Sequence, residues 1–150
     1  MITFIMVSSS QMRNSYFLDT SYSIALTIES DEFHDRASLL NRRLITENAQ
    51  IVTSQAVVLE IGDGLARQRY RRFAIDAFEL LECSPNIKVV SLSDAIISEA
   101  MLLFRDRMDK EWSLVDCTSI VIMQNLGIDR VLSADEHFNQ AGFRALLREN

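Results

Sequence analysis

Four acidic residues each stand against an apolar run. Asp19 closes "YFLD", Glu60 lies within "AVVLEIG", Asp116 within "SLVDCTSIVIMQNLG", and Asp135 ends "VLSAD". A carboxylate buried without a partner is expensive, so each position needs a reason. Each has a local one. Asp19 precedes Thr20-Ser21 and can cap a helix. Ser113 and Asp116 fit the Ser/Thr-x-x-Asp/Glu capping box. Asp135 can form the turn after a strand. Glu60 can lay its stem on apolar surface and keep its head in water. If the four meet in one place, these local reasons are not enough, because clustered carboxylates repel strongly without a cation. A hard divalent ion is then the economical explanation. Mg²⁺ takes oxygen ligands and keeps several waters, which suits a carboxylate nest without His or Cys. Such a centre can activate water and stabilise in-line displacement at a phosphodiester.

Whether the acids meet depends on the elements that carry them. "SYFLD" (15–19) reads as a first strand, and "TSYSIALTIES" begins a helix. Phe33, Ala37, Leu40 and Leu44 recur at helical spacing, and "AQIVTS" (49–54) is a second strand. A third helix starts at Ser54 as cap and is expected to run through "LARQRYRRF", followed by a fourth helix in "RFAIDAFELLEC". "SPN" (84–86) breaks it before a third strand over 87–92. Helices follow over 93–110 and from Ser113 to Gly127, the glycine acting as C-terminal cap. A fourth strand (129–135), a helical turn and a last strand (143–147) complete the chain. Strands alternating with helices imply an α/β fold, a mostly parallel sheet of about five strands with helices on both faces. Ligands bind such sheets outside the carboxyl ends of the strands, where Asp19 and Asp135 are expected. Glu60 shares a helix face with Val57, Ile61 and Gly64 and is expected to point toward the sheet, with open space above it at Gly64, while the helix-weakening Gly62 and Gly64 also suggest close approach or a helix bend there.

The bulk composition agrees with a single soluble domain. The chain has 150 residues, 48% hydrophobic and 24% charged, and a net charge of −6. That balance argues against broad electrostatic binding of nucleic acid but not against an acidic metal site with a basic rim. No apolar run approaches the roughly 20 residues of a membrane helix. Cys83 and Cys117 lie in apolar context and are expected as small buried side chains in a reducing, cytoplasmic setting. Residues 1–14 have a short apolar run without a preceding positive charge, so an N-terminal extension is expected there and not a signal peptide, with one domain over 15–150.

"YFLDTSYSIALTIESDEFHDRA", "IVTSQAVVLEIGDGL" and "DKEWSLVDCTSIVIMQNLGIDRVLSADEHFNQAGFRALL" resemble the PIN-domain ribonucleases of the VapC toxin type, over about residues 16–148. The family's four acidic positions match Asp19 in "LDTS", Glu60, Asp116 in the "WSLVD" segment and Asp135 in "SADEHF". The resemblance implies a PIN-like fold and an endoribonuclease dependent on Mg²⁺ or Mn²⁺. It also implies an RNA substrate, a homodimer and a cognate antitoxin protein. Ser133 stands where the family more often has Thr, keeping the hydroxyl, and Glu136 where toxins often carry Arg. On this reading Asp19, Asp116 and Asp135 hold the metal, Glu60 completes the nest or orients water, and Ser21 and Ser133 support them.

The basic stretch with Arg67, Arg69 and Arg71 around Tyr70 is either an RNA phosphate contact with a stacking ring or a solvated helix end favoured by the C-terminal dipole. His34 is expected at the surface and Trp112 as a packing anchor; His137, close after Asp135, either approaches the site or, the favoured reading, is a hydrogen-bonded structural histidine. Two other functions compete with the nuclease. A PIN domain retained only for RNA or protein binding would not need all four acids. A phospho-acceptor receiver domain needs an acidic pair after the first strand and a lysine after the last; here "FLDTS" has one acid, and the lysines are Lys88 and Lys110.

Overall fold

The computed structural model describes residues 14–149. Except for Asn14, the expected N-terminal extension lies outside the described residues. The elements are β1 Ser15–Leu18, α1 Thr20–Thr27, α2 His34–Thr46, β2 Gln50–Ser54, α3 Gln55–Gly64, α4 Arg71–Cys83 and β3 Ile87–Val90. They continue with α5 Asp94–Asp106, α6 Leu114–Leu126, β4 Arg130–Leu132, α7 Glu136–Gln140, β5 Arg144–Ala145 and a closing 3₁₀ turn, Leu146–Arg148.

The five strands form one sheet in the order β3-β2-β1-β4-β5, and every pairing is parallel. The chain therefore runs outward from β1 to β3, then crosses back to β4 and β5. Right-handed crossovers place the helices of the outward and return connections on opposite faces. The order reverses between β1 and β4, so the crevice beyond their carboxyl ends is where such a sheet binds ligand. Leu18 pairs with Leu132 there. The strands are apolar runs because both faces are covered: Phe17, Val131 and Leu132 are fully buried.

Local chemistry sets most element boundaries as expected. The hydroxyls of Ser54, Ser93 and Ser113 each accept a backbone N–H at a helix start, satisfying donors the helix cannot. Gly127 ends α6 in the left-handed conformation, φ 67°, which glycine adopts without the Cβ penalty. Residues Cys117 to Met123 of α6 are all buried, as befits a helix enclosed on every side.

Four expectations need correction. The third helix does not continue through the basic stretch: it stops at Gly64, and a turn closed by Tyr70 N–H to Arg67 O (2.8 Å) separates it from α4. Gly64 does not leave open space but marks the close approach also expected there: a Cβ would lie 2.9 Å from Ile24 Cδ1, because α1 packs into that gap. Cys83 is exposed, since the core stripe of α4 runs through Ala74 and Leu81 and Cys83 turns off it by helical periodicity. The last strand is only Arg144–Ala145, because the chain then tightens into the 3₁₀ turn that buries Leu146 and Leu147.

Phe138 is fully buried on the short helix α7 and fixes that helix against the sheet. Phe138→Ala is expected to cost about 3–5 kcal/mol, measured as a lowered urea midpoint. A loss below about 1 kcal/mol would show that α7 is held by its polar contacts instead.

Candidate metal centre

Asp19 is the first residue beyond β1. Its backbone N–H reaches Leu132 O across the sheet at 3.2 Å, bringing the ends of β1 and β4 together. The side chain is only 6% exposed. Ser133 Oγ donates to Asp19 Oδ2 at 2.7 Å, and Ser21 Oγ lies 3.0 Å from the same oxygen. These hydroxyls are tied in turn. Ser21 Oγ is 3.0 Å from Ser133 Oγ and accepts Ala134 N–H at 3.0 Å, while Ser133 Oγ accepts Asp135 N–H at 2.9 Å. Asp19 also caps α1, accepting Ser21 N–H. Ser21 and Ser133 thus orient the buried carboxylate and the loop after β4.

Asp116 sits at the third position of α6. The capping box is complete: Ser113 Oγ accepts Asp116 N–H at 3.0 Å, and Asp116 Oδ2 accepts Ser113 N–H at 2.9 Å. The same Oδ2 accepts from His137 Nδ1 at 2.9 Å, and that nitrogen is 3.2 Å from Asp135 Oδ1. Asp135 caps α7, its Oδ1 accepting His137 N–H at 2.9 Å. Ligand atoms of Asp116, Asp135 and His137 all lie within 4.8 Å of one another. Asp19 feels this cluster: its carboxyl is pushed up to about 6, chiefly by burial, with the Ser133 and Ser21 hydroxyls holding it back and the Asp116 charge adding a smaller rise.

Glu60 approaches from α3. Its Oε2 accepts Thr20 Oγ1 at 2.8 Å, so it stands beside the start of α1, one residue from Asp19, and outside the compact group of Asp116, Asp135 and His137. The nest expected to lack histidine therefore contains one. His137 is hydrogen-bonded to the site carboxylates, so of its two expected readings the approach to the site, signalled by its position after "SAD", holds together with the hydrogen-bonded one. Glu136 is exposed and lies 3.7 Å from Arg148 Nε, so the extra acid has a cation beside it. Arg67, Arg69 and Arg71 are exposed, on the turn after α3 and the start of α4. A helix N-terminus is where cations are disfavoured, so the dipole explanation for Arg71 does not hold. Tyr70 packs partly on the core with Arg69 over its ring at 4.5 Å, which leaves little of it for a base.

The donor set fits a hard divalent cation. Two carboxylates and an imidazole lie within reach of one ion, a third carboxylate is buried alongside, and no lysine or arginine pairs with these acids among the described residues. The charge of an ion would relieve the repulsion registered at Asp19.

Residues 16–144 match the PIN domain family. Over 127 residues the chain is 28% identical to the 23S rRNA-specific endonuclease VapC20 of Mycobacterium tuberculosis, in both strain CDC 1551 / Oshkosh and strain ATCC 25618 / H37Rv, covering 85% of this chain and 94% of that protein. The crystal structure of VapC20, described as a Sarcin-Ricin loop cleaving toxin, superposes with a TM-score of 0.76 at 27% identity over 87% of this chain and 97% of that one. FitAcB from Neisseria gonorrhoeae shares the fold alone, with a TM-score of 0.61 at 19% identity over 86% of this chain and 94% of that one. With the acidic edge at the β1/β4 switch point and a match that spans nearly all of the described residues, the chain belongs to the PIN domain family, and within it resembles ribonucleases of the VapC toxin type.

Proposed function

We propose that the protein is a Mg²⁺- or Mn²⁺-dependent endoribonuclease, the toxin of a toxin–antitoxin pair. The observation that carries this is the convergence of Asp19, Asp116 and Asp135 at one sheet edge with no lysine or arginine to neutralise them among the described residues. Asp116 and Asp135 would hold the ion, with Asp19 behind them and Glu60 placed to orient water. When bound, the ion supplies Lewis-acid stabilisation of charge at the scissile phosphate. Ser21 and Ser133 keep Asp19 in one rotamer, and the capping box does the same for Asp116. Arg67, Arg69 and Arg71 are proposed to contact RNA phosphates, since they form an exposed basic edge immediately after the helix that carries Glu60. The partners are RNA and, by likeness to a protein described as a toxin, a cognate antitoxin. No helix among the described residues is long and apolar enough to cross a membrane, and action on RNA in the cytoplasm is the setting proposed.

A homodimer is part of the same proposal. An apolar cleft of about 530 Å³ runs between α1, α2 and α4, lined by Tyr22, Leu26, Leu44, Ile45, Phe73 and Leu80. Ile45 is 71% exposed and Leu80 59%, on the two helices whose apolar stripes can meet about a two-fold axis. Light scattering at micromolar protein is expected to give a dimer mass; a monomer mass would remove this part.

Asp116→Asn separates capping from metal chemistry. Asn keeps an oxygen for Ser113 N–H but loses a charge favourable at the α6 N-terminus, about 0.5–1 kcal/mol. It also relieves repulsion with Asp19. The two effects oppose, so the urea midpoint in EDTA should stay within about 1 kcal/mol of wild type, while Mg²⁺-dependent RNA cleavage is lost. A variant that is destabilised yet cleaves normally would make Asp116 a cap only. Wild-type protein that binds RNA and metal without cleaving would favour a binding module.

Asp19 makes stability depend on pH. Its native carboxyl, at about 6 against a usual 3.8, binds its proton more tightly than in the unfolded chain. Stability in EDTA should therefore fall as pH rises from about 4 to about 6, by up to about 3 kcal/mol, and stay reduced above. Asp19→Asn removes this loss and should gain on wild type across that window; divalent ion should narrow the difference. Parallel urea midpoints for both proteins across the window would contradict the assignment.

A further inference from the structure

Of the clustered ligand candidates Asp116, Asp135 and His137, the histidine is not a carboxylate, and the proposed hydrolysis gives it no task. Orientation of its neighbours does not require it. Asp116 Oδ2 is already fixed by Ser113 N–H, and Asp135 Oδ1 by the backbone N–H of His137 itself, both at 2.9 Å. Yet Nδ1 stands 2.9 Å from one of these oxygens and 3.2 Å from the other. Donors bound at right angles to one octahedral ion, each at about 2.1 Å, are about 3 Å apart. The nitrogen thus occupies the place of a third ligand beside two carboxylate oxygens, on a helix pinned by the buried Phe138.

We propose that His137 is a ligand of the divalent ion through Nδ1, and that it biases the centre toward Mn²⁺ over Mg²⁺; the proposal rests on the metal-centre reading above. Mg²⁺ prefers oxygen donors and gives up water reluctantly, whereas imidazole is a good donor to later divalent ions. Without metal, Nδ1–H donates to Asp116. As a ligand the neutral ring carries its proton on Nε2 and offers the Nδ1 lone pair. The side chain is 27% exposed, so solvent can take the proton from one nitrogen and return it to the other. No bond other than N–H is made or broken in the protein, and Asp116 and Asp135 exchange a hydrogen bond for the ion.

The test uses EDTA-treated full-length protein without RNA. Mn²⁺ and Mg²⁺ are titrated by calorimetry into wild type, His137→Gln and Asp116→Asn. Pulsed electron paramagnetic resonance on Mn²⁺-loaded wild type, with isotopically labelled histidine, reads nitrogen coupling to the ion directly. The chain has two histidines, and His34 Nδ1 bonds Ala25 O on α1, so a coupled histidine is identified by its loss in His137→Gln. The expected result is a histidine coupling in wild type, and a Mn²⁺ affinity in His137→Gln weakened about tenfold or more against a Mg²⁺ change below about threefold. Mn²⁺ binding that Asp116→Asn weakens, with no nitrogen coupling in wild type, overturns His137 as a ligand and leaves the carboxylate centre standing. Failure of both ions to bind wild type overturns the metal centre and His137's part in it together. If His137→Gln folds poorly, a coupling that persists in His34→Gln makes the same identification, and its loss there overturns His137 as the ligand.

Discussion

An ionisable carboxylate is held almost out of contact with water at the end of β1, and no ion pair reaches it among the described residues. Asp19 is 6% exposed and rests on two hydroxyls, Ser21 and Ser133. Two neutral hydroxyls do not offset the desolvation of a carboxylate, which is why its proton is held up to about 6. The surrounding architecture answers to this one cost. The parallel register of β1 with β4 brings Ser133 to Asp19, and the loop after β4 carries Asp135 and His137 to the same edge. A site that is unfavourable on its own and favourable with a cation is the arrangement expected of a metal centre.

Helix caps and proposed metal ligands coincide in this structure. Asp19, Asp116 and Asp135 each accept backbone N–H groups at the start of a helix: α1, α6 and α7. Helix N-termini carry partial positive charge, so three of them converging on one edge soften the repulsion between the acids without cancelling it. The hydrogen bonds also lock the carboxylate rotamers, which is what a preorganised ion site requires. Cap and proposed ligand are therefore not opposed roles for Asp116, whose Oδ2 accepts Ser113 N–H and meets His137 Nδ1 in the site.

The rim shows how sequence neighbours and spatial neighbours differ. Glu136 adds a negative charge directly after Asp135, but the closing 3₁₀ turn returns Arg148 to within 3.7 Å of it. Arg148 Nε also donates to Ala134 O, on the loop between Ser133 and Asp135. The C-terminal segment thereby braces the loop that carries the acid and offsets its charge. Arg67, Arg69 and Arg71 are brought to the surface by the early end of α3, not by a continued helix.

The fold was legible in the chain because its signals are local. Apolar strands, serine caps at Ser54 and Ser113, the glycine stop at Gly127 and the alternation of strand and helix specify an α/β sheet with little tertiary help. The four acids were legible for a related reason: a carboxylate beside a buried run is costly wherever the run lies. What the chain alone could not decide depends on contacts between residues far apart in sequence. The space at Gly64 is filled by Ile24, forty residues earlier. The exposure of Cys83 depends on which stripe of α4 faces the sheet. His137 joins the site only because the crossover from β3 to β4 sets the α6 N-terminus beside α7. Helical and strand periodicity determine what a residue does to its own element; only the packing of elements determines which oxygen a nitrogen twenty-one residues away will meet.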